Sequence, residues 1–298
     1  MDKVHIDVNL CNGCGLCVSV CPDQTIELVA DRAEISGANC ILCGHCQAAC
    51  PQGAISISAI TTRLGLSHVK EKLTVIQPGE YDCAKLVQLM RSRRSCRNFR
   101  STAIKLSLLT DLVKIGTTAP SGTNSQAWNF TLLASRQEVT YLGDLTANFF
   151  KDLNSKAANP VYRLLSHIFM GGTLNRYYHR YYQSVAKSLQ EYEQQGIDRL
   201  FHGAPAAILI TVRDSASCPT EDALLASQNI LLAAHALGLG SCLIGFAVEA
   251  MRRRKSIKRC LDIDDKEEIY AVIALGYPDE HYDCVAGRKV VSPRIFKH

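Results

Sequence analysis

The chain has 298 residues, 47% of them apolar and 20% charged, an ordinary globular composition that excludes a disordered chain. Its net charge of +5 is unevenly spread: residues 1–60 set Asp2, Asp7, Asp23, Glu27, Asp31 and Glu34 against Lys3 and Arg32, a net of −4 that leaves +9 for the remainder. An acidic head on a basic body points to two modules with different ligands. Fourteen cysteines, eight of them in two tight repeats, argue against a secreted disulfide framework and for metal ligation in the reducing cytoplasm. The opening MDKVHIDVNL lacks the basic and apolar segments of an export signal.

In chain order, the first feature is CNGCGLCVSVCP, Cys11 to Pro22, which recurs 29 positions later as CILCGHCQAACP, Cys40 to Pro51. The offset also carries Gly15 to Gly44, Ile26 to Ile55 and Leu28 to Ile57, so residues 1–60 read as a duplicated half-domain. Each half predicts a ligand loop, a helical turn up to the fourth cysteine and an alternating strand, TIELVA or AISISA. So few residues make a weak core, and inorganic centres are expected to hold the module together. Residues 61–80 lose the pattern and end in Gln77-Pro78-Gly79, a connector.

Residues 81–298 form the second module. A helix from about Cys83 to Arg91 opens it, followed by RRSCRNFR, a helical LSLLTDLVKIGTTAP, the loop SGTNSQAW and the strand NFTLLA. A variable segment from about 145 to 201 is helical in pattern and rich in tyrosine, with Tyr177, Tyr178, Tyr181, Tyr182 and Tyr192. These rings are expected to pack a helix face rather than gate a pocket. AAILITV reads as a buried strand, TEDALLASQNILLAAHALGLG as a long core helix ending at glycine, and EEIYAVIALGYP as a last strand with its turn. The apolar stretch Ile230 to Val248 has membrane length, but His235, Ser241 and glycines interrupt it, so a helix running into a strand is expected and no membrane span.

Zinc is the first competitor for any pair of cysteines three apart, but structural zinc takes its four ligands as two separated pairs. Three cysteines at i, i+3 and i+6 with a fourth four residues on, then proline, instead resemble the bacterial dicluster ferredoxin run. That resemblance implies two 4Fe–4S clusters, one on Cys11, Cys14, Cys17 and Cys50, the other on Cys40, Cys43, Cys46 and Cys21. Gly13, Gly15 and Gly44 would let backbone amides approach the sulfurs. His45 is read as an ordinary loop residue. Cys83, Cys96, Cys218, Cys242, Cys260 and Cys284 lack ligand spacing and are read as small buried hydrophobes without chemistry.

MRSRRSCRNFR packs Arg91, Arg93, Arg94, Arg97 and Arg100 into ten residues. Alone, such a run is a solvated face or a nucleic-acid patch. Its company, a serine within the run, a Ser/Asn/Gln loop downstream and Arg288-Lys289 near the C-terminus, suits a small phosphorylated cofactor instead, since guanidinium forks take phosphate bidentately and amides suit a polar ring edge. With RRSCRNF, APSGTNSQAW, HGAPAAILI, EDALLASQNILLAAHALGLGSCLIGF and ALGYP in order, residues 81–298 resemble the FMN-dependent nitroreductase family. The resemblance implies an α+β fold: a nitroreductase-like FMN-binding α/β/α domain behind a small N-terminal ferredoxin-like dicluster domain. It places Arg93, Arg94, Ser95 and Arg97 on the FMN phosphate, ribityl chain and pyrimidine edge. Ser121, Asn124 and Gln126 would border the flavin, the turn of Leu243, Ile244 and Gly245 would lie nearby, and Arg288 with Lys289 would return to the phosphate. It also implies a homodimer with FMN at the subunit interface. The family's Gln-Pro-Trp reads Gln126-Ala127-Trp128 here, which frees Gln126 from the restriction a following proline imposes.

GLGSCLIG follows a helix and precedes a strand, the reverse of a dinucleotide fingerprint, so no dedicated NAD(P)H fold is expected. RRRKSIKR, Arg252 to Arg259, is followed at once by acids and reads as a salt-bridged helical surface rather than a nucleic-acid site. Together these readings predict an enzyme that takes electrons from a ferredoxin- or flavodoxin-type donor through its clusters to FMN and reduces a nitroaromatic, quinone or similar electron-poor small molecule. Reductive dehalogenation or ene reduction on the same scaffold, and a pure electron-transfer or redox-sensing role, are the alternatives.

Overall fold

The computed structural model of the protein describes residues 3–169 and 171–297. The duplicated head folds as two two-stranded antiparallel sheets around two short helices. Strand β1 (Val4–Ile6), helix α1 (Leu16–Ser19), strands β2 (Ile26–Val29) and β3 (Arg32–Ile35), helix α2 (His45–Ala49) and strand β4 (Ile55–Ile57) follow in order, β1 pairing with β4 and β2 with β3. β1 and β3 extend the expected pattern. Each short helix starts from a left-handed glycine, Gly15 at φ 73° and Gly44 at φ 77°, a conformation open to glycine and costly to most other residues. His45 is thus the first residue of α2 rather than a loop residue. The buried cluster of this head comprises Ile26, Ala33, Ile55 and Ile57 with the thiols of Cys17 and Cys46, so cysteines form part of the little core there is.

The connector is tied down. Asp111, buried on the helix Leu106–Gly116, accepts from the amides of Ser67 (2.9 Å) and His68 (2.7 Å) and from the His68 ring (3.0 Å). Lys114 Nζ donates to the Gly65 carbonyl at 2.5 Å, and Glu71 closes the strap by accepting from the amides of Leu64 and Leu66, both at 2.9 Å.

The second module opens with α3 (Cys83–Ser92), which buries no residue, and α4 (Leu106–Gly116). Then come β5 (Trp128–Leu133), helices α5 (Arg136–Ala158), α6 (Pro160–Phe169), α7 (Thr173–Arg180) and α8 (Tyr182–Gln195), β6 (Ala206–Arg213), α9 (Pro219–Ala236), β7 (Gly240–Leu243), α10 (Gly245–Arg253), α11 (Lys255–Arg259) and β8 (Glu267–Gly276). The helical segment starts at Arg136, earlier than expected. Its signal is the Ser-x-x-Glu of a capping box, with the Ser135 hydroxyl accepting from the Glu138 amide and Glu138 from the Ser135 amide.

The main sheet is antiparallel, in the order β5-β6-β8-β7. β6 is buried on both faces: Ala207 and Leu209 point to the layer of α5 and α10, while Ile208, Ile210 and Val212 point to the layer of α4 and α9. This explains the unbroken apolar run AAILITV, since a strand covered on both sides has no polar face to alternate with. On β8, Tyr270 bulges out where Ile210 pairs with Ala271 and Thr211 with Ile269, so Ile269 and Ala271 face opposite layers despite their two-residue spacing. The α+β fold with helices on both faces of the sheet is that expected.

Two smaller expectations need correction. Of the six scattered cysteines only Cys96 and Cys242 are buried, while Cys83, Cys260 and Cys284 are exposed and Cys218 is half-buried. The basic run is salt-bridged to Glu249, Asp152, Asp265 and Glu268 as expected, yet Lys258 is fully buried, donating to the Glu267 carbonyl with Glu268 at 3.7 Å. The long stem of a lysine allows this when its ammonium still meets oxygen.

Candidate functional site

The eight repeat thiols fall into two groups. Cys21, Cys40, Cys43 and Cys46 line a cavity of about 340 Å³. Cys11, Cys14, Cys17 and Cys50 line a narrower one of about 20 Å³. Each group therefore takes three thiols from one repeat and the fourth from the other. Burial pushes the Cys46 thiol up, and the charges of Cys43, Cys40 and Cys21 add to it; burial likewise pushes up Cys17, which feels Cys11 and Cys14. Backbone amides point back at the sulfurs: Ala33 at Cys11 (3.4 Å), Thr25 at Cys21 (3.4 Å), Leu42 at Cys40 (3.4 Å) and Ala54 at Cys50 (3.3 Å). The amides of Ala33 and Gly13 bring the Cys11 thiol down. At Cys21 burial acts upward, but the Thr25 hydroxyl and nearby amides outweigh it. N–H donors favour thiolate, the form a metal centre needs. Among the described residues no three ligand-type side chains converge on a single-ion position. Thiols spaced around a cavity and backed by amides fit a polynuclear iron–sulfur core better than tetrahedral zinc.

Arg93, Arg94, Ser95 and Arg97 follow α3 and run beside β7, where the Cys96 amide donates to the Ser241 carbonyl at 3.0 Å and Ser95 bridges Ser241. Burial, then the charges of Arg288 and Arg94, hold the Arg93 guanidinium below the usual arginine range, so Arg288 of the C-terminal tail lies near enough for its charge to be felt at Arg93. Lys289 lies exposed on the same tail. Among the described residues, no side-chain ion pair is formed by Arg93, Arg94, Arg97 or Arg288, and the Glu280 carboxylate accepts from the Arg97 backbone amide at 2.6 Å. Like charges gathered together repel one another, and an anion placed among them relieves this; the cluster fits a phosphate.

Arg97, Leu243, Ile244 and Gly245 reach a second feature, a cavity of about 1130 Å³ walled by Phe149, Phe150, Tyr177, Tyr181, Phe246 and His202. Tyr177 serves both packing and cavity: its hydroxyl donates to Asn154 Oδ1 (2.7 Å), its ring stacks on Phe150 (6.3 Å), and it faces the space. Tyr178 and Tyr182 pack on each other at 4.9 Å with Arg163 over Tyr178, while Tyr192 donates to Asp144 at 2.6 Å. His202, held in the left-handed region at φ 57°, was missed by sequence reasoning; its signal is its place in HGAP just before β6. Burial keeps its imidazole below the ordinary range.

Ser121, Asn124 and Gln126 are not brought to the arginines. Their loop sits at the N-terminus of α9, where buried Asp222 accepts from the Gly122 amide (2.9 Å) and the Ser125 hydroxyl (3.1 Å). A Cβ on Gly122 would lie 2.4 Å from Ser217 Oγ and 2.9 Å from Cys218 Sγ, so any side chain there must displace both. The Gln126 amide donates to Ser121 Oγ (3.0 Å) and its side chain to Asn124 Oδ1 (3.1 Å). Thr123, Asn124 and Gln126 are all left-handed, at φ 50°, 53° and 46°, each costing about 1–3 kcal/mol unless its surroundings impose it. Arg93 lies beside His235, at the other end of α9. Thirteen residues of helix separate Asp222 from His235, about 20 Å at 1.5 Å per residue. One chain therefore holds the two groups of expected flavin contacts apart.

Residues 90–277 match the model of the nitroreductase family, and residues 3–59 that of the 4Fe-4S dicluster domain. The chain belongs to the nitroreductase family. It is an oxidoreductase of that family with a 4Fe–4S dicluster domain at its head. This nitroreductase is similar to the 4-nitrobenzoate reductase of Pseudomonas putida, with 27% identity over 65% of this chain and 85% of that one. It is similar also to the 4-nitrobenzoate reductase of Nocardioides sp. (strain LMS-CY), with 23% identity over 69% and 85%. Among solved structures, a nitroreductase with bound FMN from Bacteroides fragilis aligns with 70% of this nitroreductase and 95% of its own chain, at 20% identity and a TM-score of 0.49.

Proposed function

We propose that the chain is a homodimeric FMN-dependent reductase of electron-poor small molecules, nitroaromatics or quinones, with two built-in 4Fe–4S clusters. The observation that carries this reading is the presence in one chain of two four-thiol cavities and an arginine run whose Arg97 reaches an aromatic cavity. When bound, the clusters supply single electrons and the flavin collects them for transfer as a pair.

The chain's own residues then have defined tasks. Cys11, Cys14, Cys17 and Cys50 hold one cluster, and Cys40, Cys43, Cys46 and Cys21 the other. Arg93, Arg94, Ser95, Arg288 and Lys289 hold the flavin phosphate, while Arg97 with the Leu243, Ile244 and Gly245 turn places the ring against the aromatic cavity. That cavity excludes water and takes the substrate ring.

Ser121, Asn124 and Gln126 complete a flavin site from a second copy, since about 20 Å of helix keeps them from the arginines of their own chain. Two further observations favour a dimer. Helix α3 buries none of Leu86, Val87 and Met90, and Leu224 and Leu225 stand exposed on α9. The electron donor is a ferredoxin- or flavodoxin-type protein. Cys14 is exposed among exposed Val8, Leu10 and Leu16, an apolar rim suited to such docking. Among the described residues no helix is long and apolar enough to cross a membrane. We place the protein in the cytoplasm, where eight thiols stay reduced.

Purification without air, with iron, sulfide and FMN counted per chain, tests the centre of this reading. We expect two 4Fe–4S clusters and one FMN per chain, and turnover of a nitroaromatic acid by the dithionite-reduced protein. Zinc in place of iron, or a protein that binds no flavin, would falsify it.

A further inference from the structure

Two cluster sites in one head raise the question of which faces the flavin. We infer that it is the set of Cys21, Cys40, Cys43 and Cys46, and that Asn124 is the positioning residue that seats it. This inference rests on the proposed cluster and flavin sites.

The Asn124 side-chain amide donates to the carbonyls of Ile41 (3.1 Å) and Leu42 (3.0 Å), both on the loop between Cys40 and Cys43. The carbonyl of Ile41 and the N–H of Leu42 belong to one peptide unit, and that N–H donates to Cys40 Sγ at 3.4 Å. A single peptide group thus links the Asn124 amide to a ligand sulfur. Hydrogen bonds in series polarise one another, so donation to the carbonyl strengthens the N–H bond to sulfur and favours the more negative, reduced state of whatever the sulfur holds. On its other side Asn124 Oδ1 accepts from Gln126, on the loop expected to border the flavin.

Backbone strain collects at the same seam. Leu42, Thr123, Asn124 and Gln126 are four of the nine non-glycine residues with positive φ among the described residues. Such conformations persist where the surroundings impose them, and they mark functional contacts more often than free loops. The other cysteine set meets its partners within the head: the Cys11 sulfur takes the Ala33 amide and its carbonyl takes Arg32, while the Cys50 sulfur takes the Ala54 amide.

The test uses the full chain purified without air, with each cluster followed by electron paramagnetic resonance during a redox titration. Cys43→Ser and Cys14→Ser assign the two signals to their sites. In Asn124→Ala, with iron and sulfide content unchanged, the signal altered by Cys43→Ser should move to lower potential, while the signal altered by Cys14→Ser stays in place. Asn124→Asp, which sets a negative charge against the same carbonyls, should move it further in the same direction. A residue that merely glued the modules together would leave both potentials unchanged. An unmoved pair, an equal shift of both signals, or a shift confined to the signal of Cys14→Ser overturns the assignment. Absence of both signals from the unaltered protein would instead overturn the cluster reading itself.

Discussion

Asp111 is a carboxylate in the apolar face of LSLLTDLVK, and it holds the connector through the amides of Ser67 and His68 and the His68 ring. Burial acts to raise its carboxyl, but these donors outweigh burial and hold it below the ordinary carboxylate range. A folded-state value below the unfolded one means the stabilisation is complete above about pH 4 and is lost as pH falls through the folded value. Asp111→Ala should cost about 1–3 kcal/mol at neutral pH, because two amides lose their acceptor. Thermal unfolding at pH 7 and pH 3 checks this: the gap in Tm between variant and parent should be wider at the higher pH than at the lower. The sequence marks Asp111 only as a polar residue on a helix. Its role was illegible there because its partners lie more than forty positions upstream.

Among the elements, the SGTNSQAW loop is the one whose placement the sequence left most open. The expected family residues are all present, but the change from proline to alanine at 127 left the placement of Gln126 and Trp128 open. The structure gives the reason for the alanine: Gln126 sits at φ 46°, and a following proline drives its predecessor toward extended backbone. Ala127→Pro should therefore break the Gln126 bond to Asn124 and loosen the seam with the Cys40–Cys43 loop. Hydrogen exchange at Leu42 and Cys43 would reveal it, and unchanged protection there would show that the loop tolerates the proline. Helices and strands, by contrast, were legible wherever one local pattern governs them. AAILITV, EEIYAVIALG and the α9 stretch each have enough apolar periodicity or continuity to specify an element, whereas the short β1 and β3 depend on partners supplied by the fold.

At the scale of the molecule, the separation of Arg93 from Asn124 along α9 makes dimerisation a condition of flavin binding in the proposed function. Two variants expose this. Arg93→Ala with Arg288→Ala removes the phosphate grip, and Gly122→Val displaces the opposite loop by steric overlap with Ser217 and Cys218. Each variant alone should release FMN. Coexpressed, they form mixed dimers in which one site carries both defects and the other carries none, so flavin content should recover in the isolated heterodimer. No recovery would mean that each chain builds its site from its own residues.

The sequence by itself determined the duplicated cysteine head, the strands of the main sheet and the long α9 helix, and its motifs carried the resemblance of the larger module to the nitroreductase family. The head, the strands and the helix are written in spacing and periodicity within a few turns of chain, and the resemblance in short motifs kept in order. Only the tertiary structure decided that thiols from opposite repeats share a cavity, that Arg288 lies near Arg93, and that Asn124 meets the head rather than the arginines. Such contacts join residues tens to hundreds of positions apart. Their geometry follows from how whole layers pack, for which no local pattern in the chain is a substitute.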